Sequence, residues 1–215
     1  TFNSRRACLN PPRRKYKGHS MSARITALVL AAGKSSRMGE KNKLLLKFND
    51  QTMVSHVIDQ LLESSVSEII VVTGCEFENV RRSIGQKVEF THNPDYDQGL
   101  STSIKAGIEA LHNATDGVMI CLGDMPYIST QDYNALLSEF DAGKIIVPTS
   151  HGKVGNPIIF SNDYFSDFDT LEGDTGARKL LKQYKDNIVR VDVNTDAIFD
   201  DIDTPEAYQD ILLKI

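Results

Sequence analysis

Between residues 25 and 148 the chain repeats one pattern: a short apolar run, a turn, then an amphipathic stretch. The runs are residues 25–30 (ITALVL), 68–72 (EIIVV), 87–91 (KVEFT), 117–122 (GVMICL) and 144–148 (KIIVP). Most are rich in β-branched residues and show no polar alternation. A strand that is apolar on both sides must be covered on both faces, as in a parallel sheet between two layers of helices. Residues 52–62 place Met53, Val54, Val57, Ile58, Leu61 and Leu62 on one helical face. Residues 76–84, 100–111 and 130–140 also read as helices. Beyond residue 150 the rhythm loosens, with a strand at 157–160 and helices at 175–184 and 204–213. Thr204 and Pro205 suit the N-cap and first position of the last helix. The expectation is a single three-layer α/β/α domain over residues 21–215, with a mostly parallel sheet. Its ligand cleft belongs at the carboxyl ends of the strands.

Charge and composition narrow the function. Residues 1–20 hold Arg5, Arg6, Arg13, Arg14, Lys15 and Lys17, no acid, and Pro11-Pro12. They read as a basic leader of vector or upstream-translated origin, with Met21 as the natural start. The remainder holds 18 of the 24 Lys and Arg against all 29 Asp and Glu, a net charge of about −11. That acidic body argues against nucleic acid as the main partner and leaves room for a nucleotide with a divalent cation. No apolar run reaches about 18 residues, so neither a transmembrane helix nor a membrane partner is expected. Cys8, Cys75 and Cys121 form no CxxC, and the five histidines show no HxxxH or HExxH spacing. A disulfide framework and a structural zinc site are disfavoured, and a reducing, cytoplasmic setting fits.

The loop after the first strand carries the chemistry. In Leu30-Ala31-Ala32-Gly33-Lys34-Ser35-Ser36-Arg37-Met38-Gly39 the small residues let backbone N–H groups approach a phosphate or a base. Arg37, Lys41 and Lys43 supply positive charge. Two common phosphate motifs fail here. Gly33-Lys34-Ser35 matches the tail of a P-loop, but Leu28 stands where its first glycine belongs. Ala31 breaks a GxGxxG fingerprint, which disfavours a nicotinamide-dinucleotide oxidoreductase. Farther on, Asp124 in Cys121-Leu122-Gly123-Asp124-Met125-Pro126 follows a buried strand at the cleft end of the sheet. A carboxylate there suits Mg2+, though a turn aspartate before proline reads the same way. Asp174 read alone is a helix N-cap, and Asp203 or Thr204 can cap the last helix.

Taken together, these segments resemble the molybdenum cofactor cytidylyltransferases, which are nucleotidyltransferases with a Rossmann-like fold. The matching segments are the LAAGKSSRMG loop with Asn42-Lys43-Leu44-Leu45-Leu46, Asn93-Pro94 with Gly99-Leu100-Ser101-Thr102-Ser103, and the GDMP aspartate Asp124. Three more follow: Gly155-Asn156-Pro157, Leu171 to Arg178 (LEGDTGAR), and Asp201-Ile202-Asp203-Thr204-Pro205-Glu206. The family's loop lysine stands three residues after the loop glycine. Here Lys41 is two and Lys43 four residues after Gly39, and the Leu-rich context favours Lys43.

The resemblance implies transfer of CMP from CTP to the terminal phosphate of a molybdopterin-type acceptor, with Mg2+ and release of pyrophosphate. By the same resemblance Ala31, Ala32, Gly33, Ser35, Gly74, Gly99, Ser101 and Ser103 bind the nucleotide. Arg37, Lys43 and Asp124 are catalytic, and Asp124 holds the metal with Asp203 or Asp201. Asn156, Gly173, Asp174 and Gly176 line the acceptor side. A molybdoenzyme or its chaperone would receive the product. Two alternatives stay open: another phosphorylated acceptor, such as a sugar or alcohol phosphate, or a non-catalytic module that hands on nucleotide or cofactor.

Overall fold

A computed structural model describes residues 23–39, 41–85 and 88–212. The leader expected over 1–20, Lys87 of the third expected strand and residue 213 of the last expected helix lie outside them. The apolar runs all enter one sheet, with those of residues 25–30, 68–72 and 117–122 adjacent in its interior and the described part of 87–91 at one edge. Its strands are β1 (Ile25–Ala31), β4 (Glu68–Thr73), β5 (Glu89–His92), β6 (Gly117–Leu122), β7 (Ile145–Ser150), β8 (Lys153–Val154), β9 (Ile158–Ser161) and β10 (Ile188–Asp192). A separate small hairpin pairs β2 (Lys47–Phe48) with β3 (Gln51–Thr52). The main order is β10-β7-β9-β6-β1-β4-β5, with β8 hydrogen-bonded to β7. The pairs β6–β1, β1–β4, β4–β5 and β7–β10 are parallel. Strand β9 runs antiparallel between β6 and β7, so the sheet is mixed but mostly parallel.

The lack of polar alternation now has its cause. Alternate residues of the central strands point to opposite faces, and both faces are covered. Ala27, Val29, Ala31, Ile69, Val71, Met119 and Cys121 pack with Val54, Val57, Ile58 and Leu61 of α1 (Met53–Leu62). The same layer holds Val80 of α2 (Phe77–Ile84) and Tyr133 and Leu136 of α4 (Thr130–Ser138). On the other face Leu28, Leu30, Ile70, Val72, Val118 and Ile120 pack with Ile104 of α3 (Leu100–Glu109). Tyr164 and Phe168 of a 3-10 stretch (Asn162–Thr170) and Leu180 of α5 (Arg178–Gln183) complete that layer. Gly107 lets α3 approach β1 closely, because a Cβ there would lie 2.4 Å from two methyl carbons of buried Leu28, whose side chain would have to shift.

Thr204 caps α6 (Pro205–Leu212), its hydroxyl accepting the Ala207 N–H at 3.2 Å. Asp174 does not cap the preceding helix. A tight turn, with the Thr175 N–H on the Glu172 carbonyl at 3.2 Å, delays helix entry until Arg178. Ala177 stands at that N-cap instead. Among the described residues no helix is long and apolar enough to cross a membrane.

Candidate active site

Three segments meet at the carboxyl ends of β1 and β6. Past β1 the chain turns at Ser35, which takes a left-handed φ of 53°. The Ser35 hydroxyl accepts the Lys43 N–H at 3.1 Å and donates to Asn42 Oδ1 at 3.4 Å. Asn42 Oδ1 also accepts the Leu44 N–H at 3.1 Å, and Leu44 is buried in the core. The loop is therefore tied back on itself, and the Lys43 backbone has a fixed origin. Lys41 is exposed.

Past β6, the Gly123 N–H donates to the Leu30 carbonyl at 3.1 Å and carries Asp124 to the loop. The third segment comes from far along the chain. The Ile202 N–H donates to the Asp124 carbonyl at 3.1 Å, and the Ile202 side chain is buried with Phe48 and Met53. With Ile202 anchored, its neighbours Asp201 and Asp203 flank Asp124. One carboxylate oxygen from each of the three lies within 4.8 Å of the others.

The cations complete the arrangement. The Lys43 ammonium is ion-paired and hydrogen-bonded to both Asp124 and Asp203. The Arg37 guanidinium, mostly exposed, reaches the second oxygen of Asp203 at 2.8 Å. Burial disfavours the Lys43 cation, but Asp124 and Asp203 outweigh it and raise its pKa above an ordinary lysine's. Burial likewise works against the Asp203 anion, yet Lys43 and Arg37 prevail and lower its pKa. Asp201 goes the other way, raised by burial and by the charges of Asp203 and Asp124. Chemically this is an all-oxygen donor set beside two cations. Such a set suits a hard divalent metal, and such cations suit a polyphosphate.

The other residues singled out in the sequence sort into two groups, with Asn156 apart from both. Gly74 lies against the loop: a Cβ there would stand 2.5 Å from Tyr96 Cβ and 2.9 Å from Ala32 Cβ. Next to it, the Cys75 N–H donates to the Ala32 carbonyl at 3.1 Å. Ala31 and Ala32 are buried, whereas Gly33 is exposed with open space where a side chain would be. The second group gathers at the start of α3, where the Ser101 N–H donates to the Gly173 carbonyl at 3.0 Å. That bond joins Gly99 and Ser101 to the turn holding Gly173, Asp174 and Gly176. Ser103 is buried, and its hydroxyl accepts from Asn93 Nδ2 at 3.0 Å. Asn156 lines a hollow of about 190 Å3 with Met125, Arg178, Ile198, Phe199 and Asp201, so this hollow borders the carboxylates.

Sequence reasoning passed over Asn42, Ile202 and Arg178 as site residues. Asn42 and Ile202 act through backbone placement, which leaves no chemical signature in a sequence. Asn42 is buried in the structure, and its Nδ2 has no hydrogen-bond partner among the described residues.

A small-residue loop after β1, two cations and a carboxylate cluster at the ends of a Rossmann-like sheet define the nucleotidyltransferase class of site. Residues 27–188 match the MobA-like NTP transferase domain, and the chain belongs to that family. It is 33% identical over 190 residues to the molybdenum cofactor cytidylyltransferase of Escherichia coli (strain K12), spanning 87% of this chain and 95% of that protein. It is 32% identical over 195 residues to the purine catabolism protein PucB of Bacillus subtilis (strain 168), spanning 86% and 94%. Rv0371c from Mycobacterium tuberculosis H37Rv shares the fold with a TM-score of 0.81 at 26% identity, over 90% of this chain and 100% of that one.

Proposed function

We propose that the chain transfers CMP from CTP to the terminal phosphate of a molybdopterin-type acceptor. An acceptor phosphate oxygen forms a bond to the α-phosphorus, the bond from that phosphorus to the β-phosphate bridge oxygen breaks, and pyrophosphate leaves. The choice of CTP and of this acceptor rests on likeness to the E. coli relative. The reaction class rests on one observation: Lys43 and Arg37 converge with Asp124 and Asp203 at a single point.

No general base is required, since a phosphate monoester is already anionic at neutral pH. The work left to the protein is positioning and charge neutralisation. The loop from Ala31 to Ser35 receives the nucleotide with its backbone N–H groups. Lys43 and Arg37 neutralise the β- and γ-phosphates and the departing pyrophosphate. Asn156 and the hollow beside Asp201 take the acceptor, together with the turn of Gly173, Asp174 and Gly176. The carboxylates fit Mg2+, because three oxygens lie within 4.8 Å and every donor is hard. Asp124 and Asp203, with Asp201 beside them, would hold it, and when bound it supplies charge stabilisation at the transferring phosphate. We place the activity in the cytoplasm, in keeping with cysteines that form no CxxC.

A second reading keeps the reaction and changes the acceptor, since PucB is about as similar as the cytidylyltransferase. Pyrophosphate release, measured for CTP, GTP and ATP crossed with molybdopterin-type and sugar-phosphate acceptors, separates the two. Release is expected only with CTP and the molybdopterin-type acceptor, and Asp124→Asn should abolish it. Near-normal turnover by that variant removes Asp124 from the reaction. Tight nucleotide binding with no release from any pair makes the chain a carrier rather than an enzyme.

A further inference from the structure

The carboxylates that fit a divalent metal already hold a cation. Lys43 Nζ donates to Asp124 Oδ2 and to Asp203 Oδ1, and Arg37 occupies Asp203 Oδ2. An ammonium and a metal ion compete for those oxygens, because two cations drawn to the same carboxylates repel at close range and the ammonium already engages a lone pair on each of Asp124 and Asp203. The Lys43 backbone is pinned by Ser35 and by the burial of Leu44. Only its side chain is free to leave. Water alone is a poor destination for a side chain that is 15% exposed and leaves two carboxylates behind. A triphosphate at the loop is a good one.

We infer that Lys43 is the resident cation of the carboxylate site, that a divalent metal enters by displacing it, and that the triphosphate receives the displaced ammonium. Metal and nucleotide then load together, and the metal alone binds weakly. The part played by the triphosphate rests on the proposed nucleotidyl transfer; the competition between Lys43 and metal does not.

The test is Mn2+ titration of the full chain, with free Mn2+ read by electron paramagnetic resonance. Wild type should bind Mn2+ weakly alone and about tenfold or more tighter with the α,β-methylene analogue of CTP, once the Mn2+ that the analogue takes up without protein is subtracted. Lys43→Met and Lys43→Gln should bind Mn2+ alone about tenfold or more tighter than wild type, and the analogue should add less. Lys43→Arg keeps a cation and should behave as wild type. Circular dichroism checks that each variant is folded, and the effect of the analogue on wild type needs no variant. Mn2+ affinity in Lys43→Met and Lys43→Gln that equals or falls below wild type overturns the displacement. A wild-type affinity indifferent to the analogue overturns joint loading. Failure to release pyrophosphate with any acceptor would instead refute the proposed reaction and leave the Mn2+ comparison standing, so the two failures are distinguishable.

Discussion

Gly99→Ala should be among the most damaging one-methyl changes in this protein. Gly99 has φ 115° and ψ 169°, a region open essentially to glycine, and forcing alanine into it costs about 1–3 kcal/mol. The new Cβ would also lie 2.3 Å from the Gly173 carbonyl carbon, 2.4 Å from its oxygen and 2.7 Å from the Asp174 nitrogen. These are backbone atoms, so no rotamer change relieves the clash. The start of α3 must part from the turn and give up the Ser101–Gly173 hydrogen bond, worth about 1 kcal/mol. A loss of about 3 kcal/mol in a chain of this size lowers Tm by about 6–12 °C. Scanning calorimetry of wild type and variant measures it. Gly33→Ala is the control, because nothing lies within 4 Å of its added Cβ and its φ is not in the left-handed range. It should leave Tm within about 2 °C, as surface changes do, while weakening the CTP binding proposed for this loop. A Gly99→Ala protein that melts within about 2 °C of wild type would refute the close docking of α3 on the turn.

Two further outcomes are expected. At saturating CTP and Mg2+, Lys43→Ala should lower kcat for pyrophosphate release about 30-fold, since a mostly buried cation in the role proposed for Lys43, beside the leaving group, contributes about 2 kcal/mol once solvent screening is allowed for. Exposed Lys41→Ala should cost no more than about fivefold; the opposite order would reassign the loop lysine. His56 is half-buried against Phe48, and burial lowers its pKa below the usual 6.5 despite Asp59 and Glu63. The unfolded chain therefore takes up a proton there first as pH falls, so stability rises with pH through the window ending near 6.5. Urea unfolding of His56→Phe should depend less on pH between about 7 and 5 than wild type, and identical pH dependence would rule His56 out as a source.

The layered architecture was legible because burial on both faces leaves a compositional trace, and β1, β4 and β6 carry it in full. Strand β10 was not, since it is an edge strand with Arg190 between Val189 and Val191, and its outer side need not be apolar. The β2–β3 hairpin was too short for any periodicity to register. Of the site, Arg37, Lys43, Asp124 and Asp203 were legible as charges in recognisable surroundings. Their convergence was not, because it depends on which distant backbone the chain brings alongside. The helix start expected at Asp174 failed for a related reason: an Asp before a helical stretch is a cap only if the backbone enters the helix there, and the turn after Glu172 postpones that entry until Arg178.

The placement of the carboxylates is a backbone property, and this decides what their substitution can teach. Gly123 holds Leu30, and Ile202 holds the carbonyl of Asp124, both through main-chain hydrogen bonds. Ile202 adds a buried apolar anchor beside Phe48 and Met53. None of these contacts uses a carboxylate. Asp124→Asn preserves side-chain volume, removes one of three crowded negative charges and leaves Lys43 paired with Asp203. The fold should therefore survive with little loss of Tm, because Lys43 keeps one partner and the like-charge repulsion on Asp201 falls. A folded Asp124→Asn protein without pyrophosphate release would then report on chemistry at Asp124. A variant that unfolds would mean instead that the carboxylate itself, paired with Lys43, is what holds β6 and the 201–203 segment together.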